Sequence, residues 1–168
     1  TPFGFGLGGS FSKQTVDPAC CITDIDFAWD VATTKDYAFK GAQIEELKLT
    51  PYMTSIATAA FAVCNKLKTV DFPSSIYRIG SQAFENCSGL VGDIIIPKTV
   101  AEVGNNVFAN CANIEQIVFE EGGILQEIGS QFANNSGIKK LVIPSYINYI
   151  KSEAFGNCGK LEKVVMLN

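Results

Sequence analysis

The chain contains no histidine in 168 residues. That removes the commonest general base, the usual zinc ligand and the partner that Ser/His or Cys/His nucleophiles need. Most familiar hydrolase arrangements are therefore excluded. Charge of one sign is also scarce in any one place. Thirteen basic and 17 acidic residues leave a net charge of −4, and no basic run exists that could follow a phosphate backbone, so nucleic acid is not an expected partner. Long apolar runs are missing as well. Stretches such as IATAAFAVC (56–64) and KVVML (163–167) fall well short of the roughly 18 residues that indicate a membrane span. No G-K-[ST] triplet occurs, and neither GFGLGG near the start nor IGSQ (79–82) sits between a strand and a helix at the spacing a phosphate loop requires. The chain starts at Thr1 with neither methionine nor a charged-then-apolar leader, which reads as a removed targeting segment or a fragment.

What is present is apolar and periodic. Hydrophobic residues make up 47% of the chain, enough for one folded domain. Phe39, Phe61, Phe84, Phe108, Phe132 and Phe155 recur at intervals of 22, 23, 24, 24 and 23 residues, a solenoid period. Three positions after these phenylalanines come Cys64, Cys87, Cys111 and Cys158, with Ala42 and Asn135 in the same place of the other two units. The slot accepts something small. An L-x-x-V-x-F pattern follows, as LKTVDF (67–72), IEQIVF (114–119), IKKLVI (138–143) and LEKVVM (161–166), with earlier copies ITDIDF (22–27) and IEELKL (44–49). LVGDIII (90–96) carries one extra residue. The last four residues of each copy alternate and favour β-branched types, predicting a short strand. Pro51, Pro73, Pro97 and Pro144 then end it, since proline cannot donate to a ladder. A further inward pair, such as Ile76/Ile79 or Ile147/Ile150, precedes the next phenylalanine. Each unit is one strand plus one return segment and cannot bury its apolar side alone, so neighbours stack over a shared core.

The stretch IIIPKTVAEVGNNVFANCANIEQIVF (94–119) resembles the BspA-like class of leucine-rich repeat, IP-x-x-V-x-x-I-G-x-x-A-F-x-x-C-x-x-L, over about residues 22–167. The resemblance implies a curved leucine-rich-repeat solenoid with a parallel β-sheet on its concave face and irregular or short helical return segments. It also implies secreted or cell-surface proteins that bind host or matrix proteins. The expected organisation is an irregular N-terminal cap or linker over 1–21 and a repeat domain of about six to seven repeats over 22–168. The last strand stops at Met166 with no polar cap after it, which reads as a truncation, a domain junction or a stacking surface.

Several features could carry chemistry. The cysteine column is best read as buried thiols acting as small hydrophobes rather than a metal or disulfide set, because stacked side chains point the same way and alanine or asparagine can replace them. Cys20 and Cys21 lie in the irregular start, where a disulfide to a missing segment is one alternative. Gly80 is read as helping the chain turn. Asn86 and Asn134 head Asn-x-Ser sequons, both two residues after a repeat phenylalanine, and are candidate N-glycosylation sites on one outer side of the coil. Trp29 and Tyr52 occupy equivalent places beyond the first two strands. No pair of acids stands out as catalytic, so no enzymatic role, metal or cofactor is expected.

The exposed strand positions are more informative. The outward residue between the last two inward ones runs Asp26, Lys48, Asp71, Ile95, Val118, Val142, Val165. Charge gives way to a β-branched ridge. The neighbouring outward row runs Asp24, Glu46, Thr69, Asp93, Gln116, Lys140, Lys163, acid giving way to base. An apolar strip of Ile95, Val118, Val142 and Val165 flanked by Lys140 and Lys163 is a candidate protein-binding surface. The expected function is a non-enzymatic, extracellular binding or adhesion module acting through the concave sheet. A structural subunit that self-assembles end to end is the alternative, since an uncovered last strand exposes backbone groups to a second chain.

Overall fold

The structure is a computed structural model that describes residues 24–27 and 31–168. The expected cap over 1–21, Cys20, Cys21 and Trp29 lie outside the described residues. Among the described residues, eleven short strands follow in chain order: β1 (Asp24–Asp26), β2 (Glu46–Lys48), β3 (Ser55–Ile56), β4 (Arg78–Ile79), β5 (Gly92–Ile96), β6 (Glu102–Val103), β7 (Ile114–Phe119), β8 (Glu127–Ile128), β9 (Lys140–Ile143), β10 (Tyr149–Ile150) and β11 (Lys163–Met166). Every pairing is parallel. The longer strands form the sheet β5-β7-β9-β11 and the pair β1-β2. A second column, β3-β4-β6 and β8-β10, runs along the return segments at Ile76/Ile79 and their equivalents, with the expected inward position Ile150 instead 38% exposed on the last described coil. The return segments are turns, and among the described residues no helix forms.

Alternation explains the sheet. In β7, Ile117 and Phe119 are buried while Gln116 and Val118 face outward, as a period of two requires, and Ile114 is buried three residues before Ile117, ahead of that alternation. One expected strand is absent: residues 69–72 do not pair as a strand, although the Lys68 N–H still donates to Glu45 O at 3.2 Å and the Val91 N–H to Lys68 O at 3.1 Å. The column is continuous at its start and opens further on. Its neighbour is the copy with the extra residue, which is taken up at Gly92, where φ is 74° and the β5–β7 register shifts. A bulge of this kind bends the strand and disrupts its ladder.

The opposite side is a stack of turns. Each coil turns twice through the left-handed region, at Gln82, Asn106, Gln131 and Glu153, and again at Asn86, Asn110, Asn135 and Asn157, with φ between 53° and 61°. Asparagine recurs there because its short polar side chain tolerates that region best among residues bearing a Cβ. Between the turns, the Phe61 N–H donates to Ala83 O at 2.9 Å, Phe84 to Val107 O at 2.9 Å and Phe108 to Phe132 O at 2.7 Å, and the series continues with Ala133 to Ala154 O at 2.8 Å. Phe132 therefore occupies the alanine slot held by Ala83 and Ala154, and Ala133 takes the phenylalanine slot. FA stands where the other coils have AF or VF. Rings 39, 61, 84 and 108 stack face to face, with centroids 5.4–5.6 Å apart and planes within 11°. Phe132 enters from the adjacent slot and meets Phe108 edge-on, at 5.6 Å and 87°.

This transposition corrects the expected register. The small slot of that coil is filled by Ser136, 5% exposed, and not by exposed Asn135. The other thiols close the gap between coils: Cys64 Sγ donates to Phe39 O at 3.3 Å, Cys87 to Phe61 O at 3.1 Å, Cys111 to Phe84 O at 3.2 Å and Cys158 to Ala133 O at 3.3 Å. Gly80 also differs from expectation. It does not turn the chain through positive φ; a Cβ there would lie 2.8 Å from Ile56 O, so the requirement is close approach between coils.

Candidate protein-binding face

The site is built by strand register. Asp93 pairs with Gln116 and Ile95 with Val118; Gln116 pairs with Lys140; Lys163 pairs with Lys140 and Val165 with Val142. The last four members of each row read from the sequence thus lie in register on the outer face of β5-β7-β9-β11, Val118 and Val142 directly following the paired Ile117 and Leu141. Ile95 is 51% exposed, whereas Val118, Val142 and Val165 are half-buried. The strip is therefore low at its valines and most open at Ile95. Lys140 and Lys163 are exposed and stand side by side on adjacent strands.

Four bases elsewhere are ion-paired between coils. Glu45–Lys68 (3.1 Å), Arg78–Glu102 (3.5 Å), Glu115–Lys139 (3.2 Å) and Glu127–Lys151 (2.6 Å) each bridge one coil to the next. Among the described residues, no ion pair involves Lys140 or Lys163. At the other end of the molecule Glu46, Lys48, Thr69 and Asp71 are exposed, so the row of Lys48 and Asp71 changes from charged to apolar across the interrupted column at 69–72 while the neighbouring row stays polar.

On the turn side several polar side chains are engaged with one another: Asn106 Nδ2 donates to Gln131 Oε1 at 3.0 Å, Gln131 Nε2 to Glu153 Oε2 at 2.9 Å and Asn135 Nδ2 to Asn110 Oδ1 at 2.9 Å. Sequence reasoning missed this ladder, although asparagine recurring next to the small slot was its signal. The sequons are not equivalent. Asn86 sits at a left-handed turn with Ser88 exposed. Asn134 is one residue out of that register, and its Ser136 hydroxyl is buried 3.4 Å from Cys158 Sγ. Tyr52 is exposed.

Cys64, Cys87 and Cys111 are buried free thiols and Cys158 is half-buried. Burial pushes the Cys111 thiol up to about 12, and burial followed by its contact with Cys64 raises Cys87. Such thiols are poor nucleophiles. Among the described residues, no group of three His, Cys, Asp or Glu could hold a metal, and no helix is long and apolar enough to cross a membrane.

Comparison with known proteins agrees with this architecture. Residues 32–162 match the BspA type Leucine rich repeat region in six copies. A leucine-rich repeat protein from Eubacterium ventriosum is similar at 29% identity and a TM-score of 0.64, over 74% of this chain and 32% of that one. The T. pallidum leucine-rich repeat protein is similar at 23% identity and a TM-score of 0.56, over 83% of this chain and 56% of that one. The pneumococcal vaccine antigen PcpA shares the fold at 18% identity and a TM-score of 0.51, over 83% of this chain and 49% of that one. The chain spans between about a third and somewhat over half the length of these structures. No curated protein matches. With six copies of the repeat matched over most of its length, the chain belongs to the BspA-type leucine-rich repeat family, whose members are typically involved in protein binding or adhesion.

Proposed function

We propose that this chain is a non-enzymatic protein-binding or adhesion module of a secreted or cell-surface protein, and that it binds an extracellular host or matrix protein through the outer face of β5-β7-β9-β11. The observation that carries the reading is the in-register strip Ile95, Val118, Val142, Val165 on an uncovered sheet face. Four β-branched residues in register are a contiguous apolar surface, unlike the scattered ones every protein shows. A family of binding repeats, and a structural relative described as a vaccine antigen, support the surface setting. The test is a binding screen of the chain against extracellular matrix and host surface proteins, repeated with Val118→Lys/Val142→Lys. Both side chains point outward, so lysine stems can lie along the surface with their charges in water and thermal stability should hold. Loss of binding is expected; unchanged binding by a normally folded variant overturns the surface assignment.

A second reading rests on a separate observation. On the last described coil Val164 (51% exposed), Met166 (59%) and Leu167 (51%) are uncovered, as is Tyr149 (65%) in β10, although Val164 and Met166 continue the core columns of Leu141 and Ile143. A second copy stacked there would cover apolar surface and extend the sheet. Light scattering across a dilution series tests it: a monomer at all concentrations argues against end-to-end assembly.

A further inference from the structure

From the pairing of Lys140 with Lys163 we infer the chemistry of the partner: the face selects an acidic segment whose carboxylates sit beside an apolar side chain. This deepens the binding-face reading and rests on it. Like charges directly opposite on neighbouring strands destabilise a sheet, and these two lie on β9 and β11, whose spacing is about 4.8 Å. Four of the twelve described bases find an acid on the neighbouring coil, whereas Lys140 and Lys163 find each other. These two lysines make no such pair, although Glu162 is adjacent in sequence to Lys163 and lies in the row of Lys139 and Glu115. A bound carboxylate would relieve their mutual repulsion.

The rows supply the rest of the complement. Val142 and Val165 lie two residues further along the same strands, about 6.6 Å from the lysines. A partner must therefore present acid and apolar groups at about that separation. Asp93 stands at the far end of the charged row, with uncharged Gln116 between it and Lys140. The row is thus polarised, and an acidic partner is repelled at one end and held at the other, which fixes its orientation as well as its register. The chain as a whole carries −4, so non-specific attraction to acidic partners is weak and the contact must be local.

The experiment selects peptides from a random-peptide phage library on the immobilised full chain at low salt, then measures the enriched peptides on three proteins: the wild type, Lys140→Glu/Lys163→Glu and Val118→Ser/Val142→Ser. Lys140→Gln/Lys163→Gln serves as a milder charge variant, and circular dichroism checks each fold. The expected peptides combine Asp or Glu with an apolar residue. Charge reversal should weaken them at least about tenfold, and raising salt toward 1 M, where the screening length falls to about 3 Å, should weaken them too. Enrichment of peptides without acidic residues, or binding to both charge variants as tight as to the wild type, overturns the acidic-partner inference. If those peptides are still lost on the serine variant, the binding-face reading survives that failure. Binding indifferent to all the variants, or no enrichment at all, overturns both.

Discussion

The exchanged positions of Phe132 and Ala133 give the sharpest test of how the coils stack. Phe132 is fully buried, so Phe132→Ala alone should cost about 3–5 kcal/mol. Ala133 is equally buried, and by the backbone ladder it lies in the column between Phe108 and Phe155. Restoring the usual order with Phe132→Ala/Ala133→Phe empties the alanine slot and fills the phenylalanine slot, conserving total side-chain volume. Such exchanges cost less than about 1.5 kcal/mol when the neighbours can repack. The double variant should therefore recover most of what the single variant loses, and its new ring should continue the face-to-face stack of Phe84 and Phe108. Urea denaturation followed by far-UV circular dichroism reads the difference, with midpoints compared at equal slope. If Phe132 instead occupied the same slot as Phe84, the double variant would leave that slot empty and force a second ring into a small one. It would then be no more stable than the single variant, and the ladder of Phe108 N–H to Phe132 O would be misplaced.

Three further perturbations follow from the thiols and the coil spacing. Because the folded Cys111 thiol is raised from 9.0 to about 12, the folded chain holds a proton that the unfolded chain releases; stability should fall from about pH 9 to 12 at roughly 1.4 kcal/mol per unit for this group. Cys111→Ala should flatten that slope, which chemical denaturation at stepped pH measures; an identical slope refutes the assignment. In native protein at pH 8, iodoacetamide should leave Cys87 and Cys111 unmodified and label them only in urea, as peptide mass spectrometry reads. Gly104→Ala should cost about 1–3 kcal/mol or more, because its Cβ would lie 2.3 Å from Ser81 N, while Gly159→Ala, with nothing within 4 Å, should change the thermal midpoint little.

The period and the inward positions were legible because they are burial patterns repeated in register. Ile79, Ala83, Phe84 and Cys87 are all fully buried, and a one-dimensional stack lets one coil predict the next. Departures arose where a coil breaks the pattern locally. FANNS (132–136) fits the spacing of phenylalanines but not that of turns, and left-handed turns with their backbone ladder outrank the identity of one aromatic ring. The second column of strands was missed for a related reason: each is only two residues long, too short for alternation to register. At 67–72 the alternating sequence is present, yet these residues pair as a strand with neither neighbouring copy, so alternation alone does not decide pairing.

The candidate face was legible to a different degree. Sequence alternation alone separates outward from inward residues, and register then makes a row out of positions 22–24 residues apart. Partner chemistry needed the structure. Lys139 and Lys140 are adjacent in sequence and indistinguishable there, but they differ in what the next coil offers each. Lys139 lies 3.2 Å from Glu115, whereas Lys140 lies between Gln116 and Lys163. One lysine is committed to holding coils together, a contribution of about 1 kcal/mol at most at such exposure. The other has a like charge for a neighbour and an open face above it. In a solenoid every side chain has two counterparts fixed by the repeat, so a charge whose counterparts do not answer it marks where an external partner would gain most.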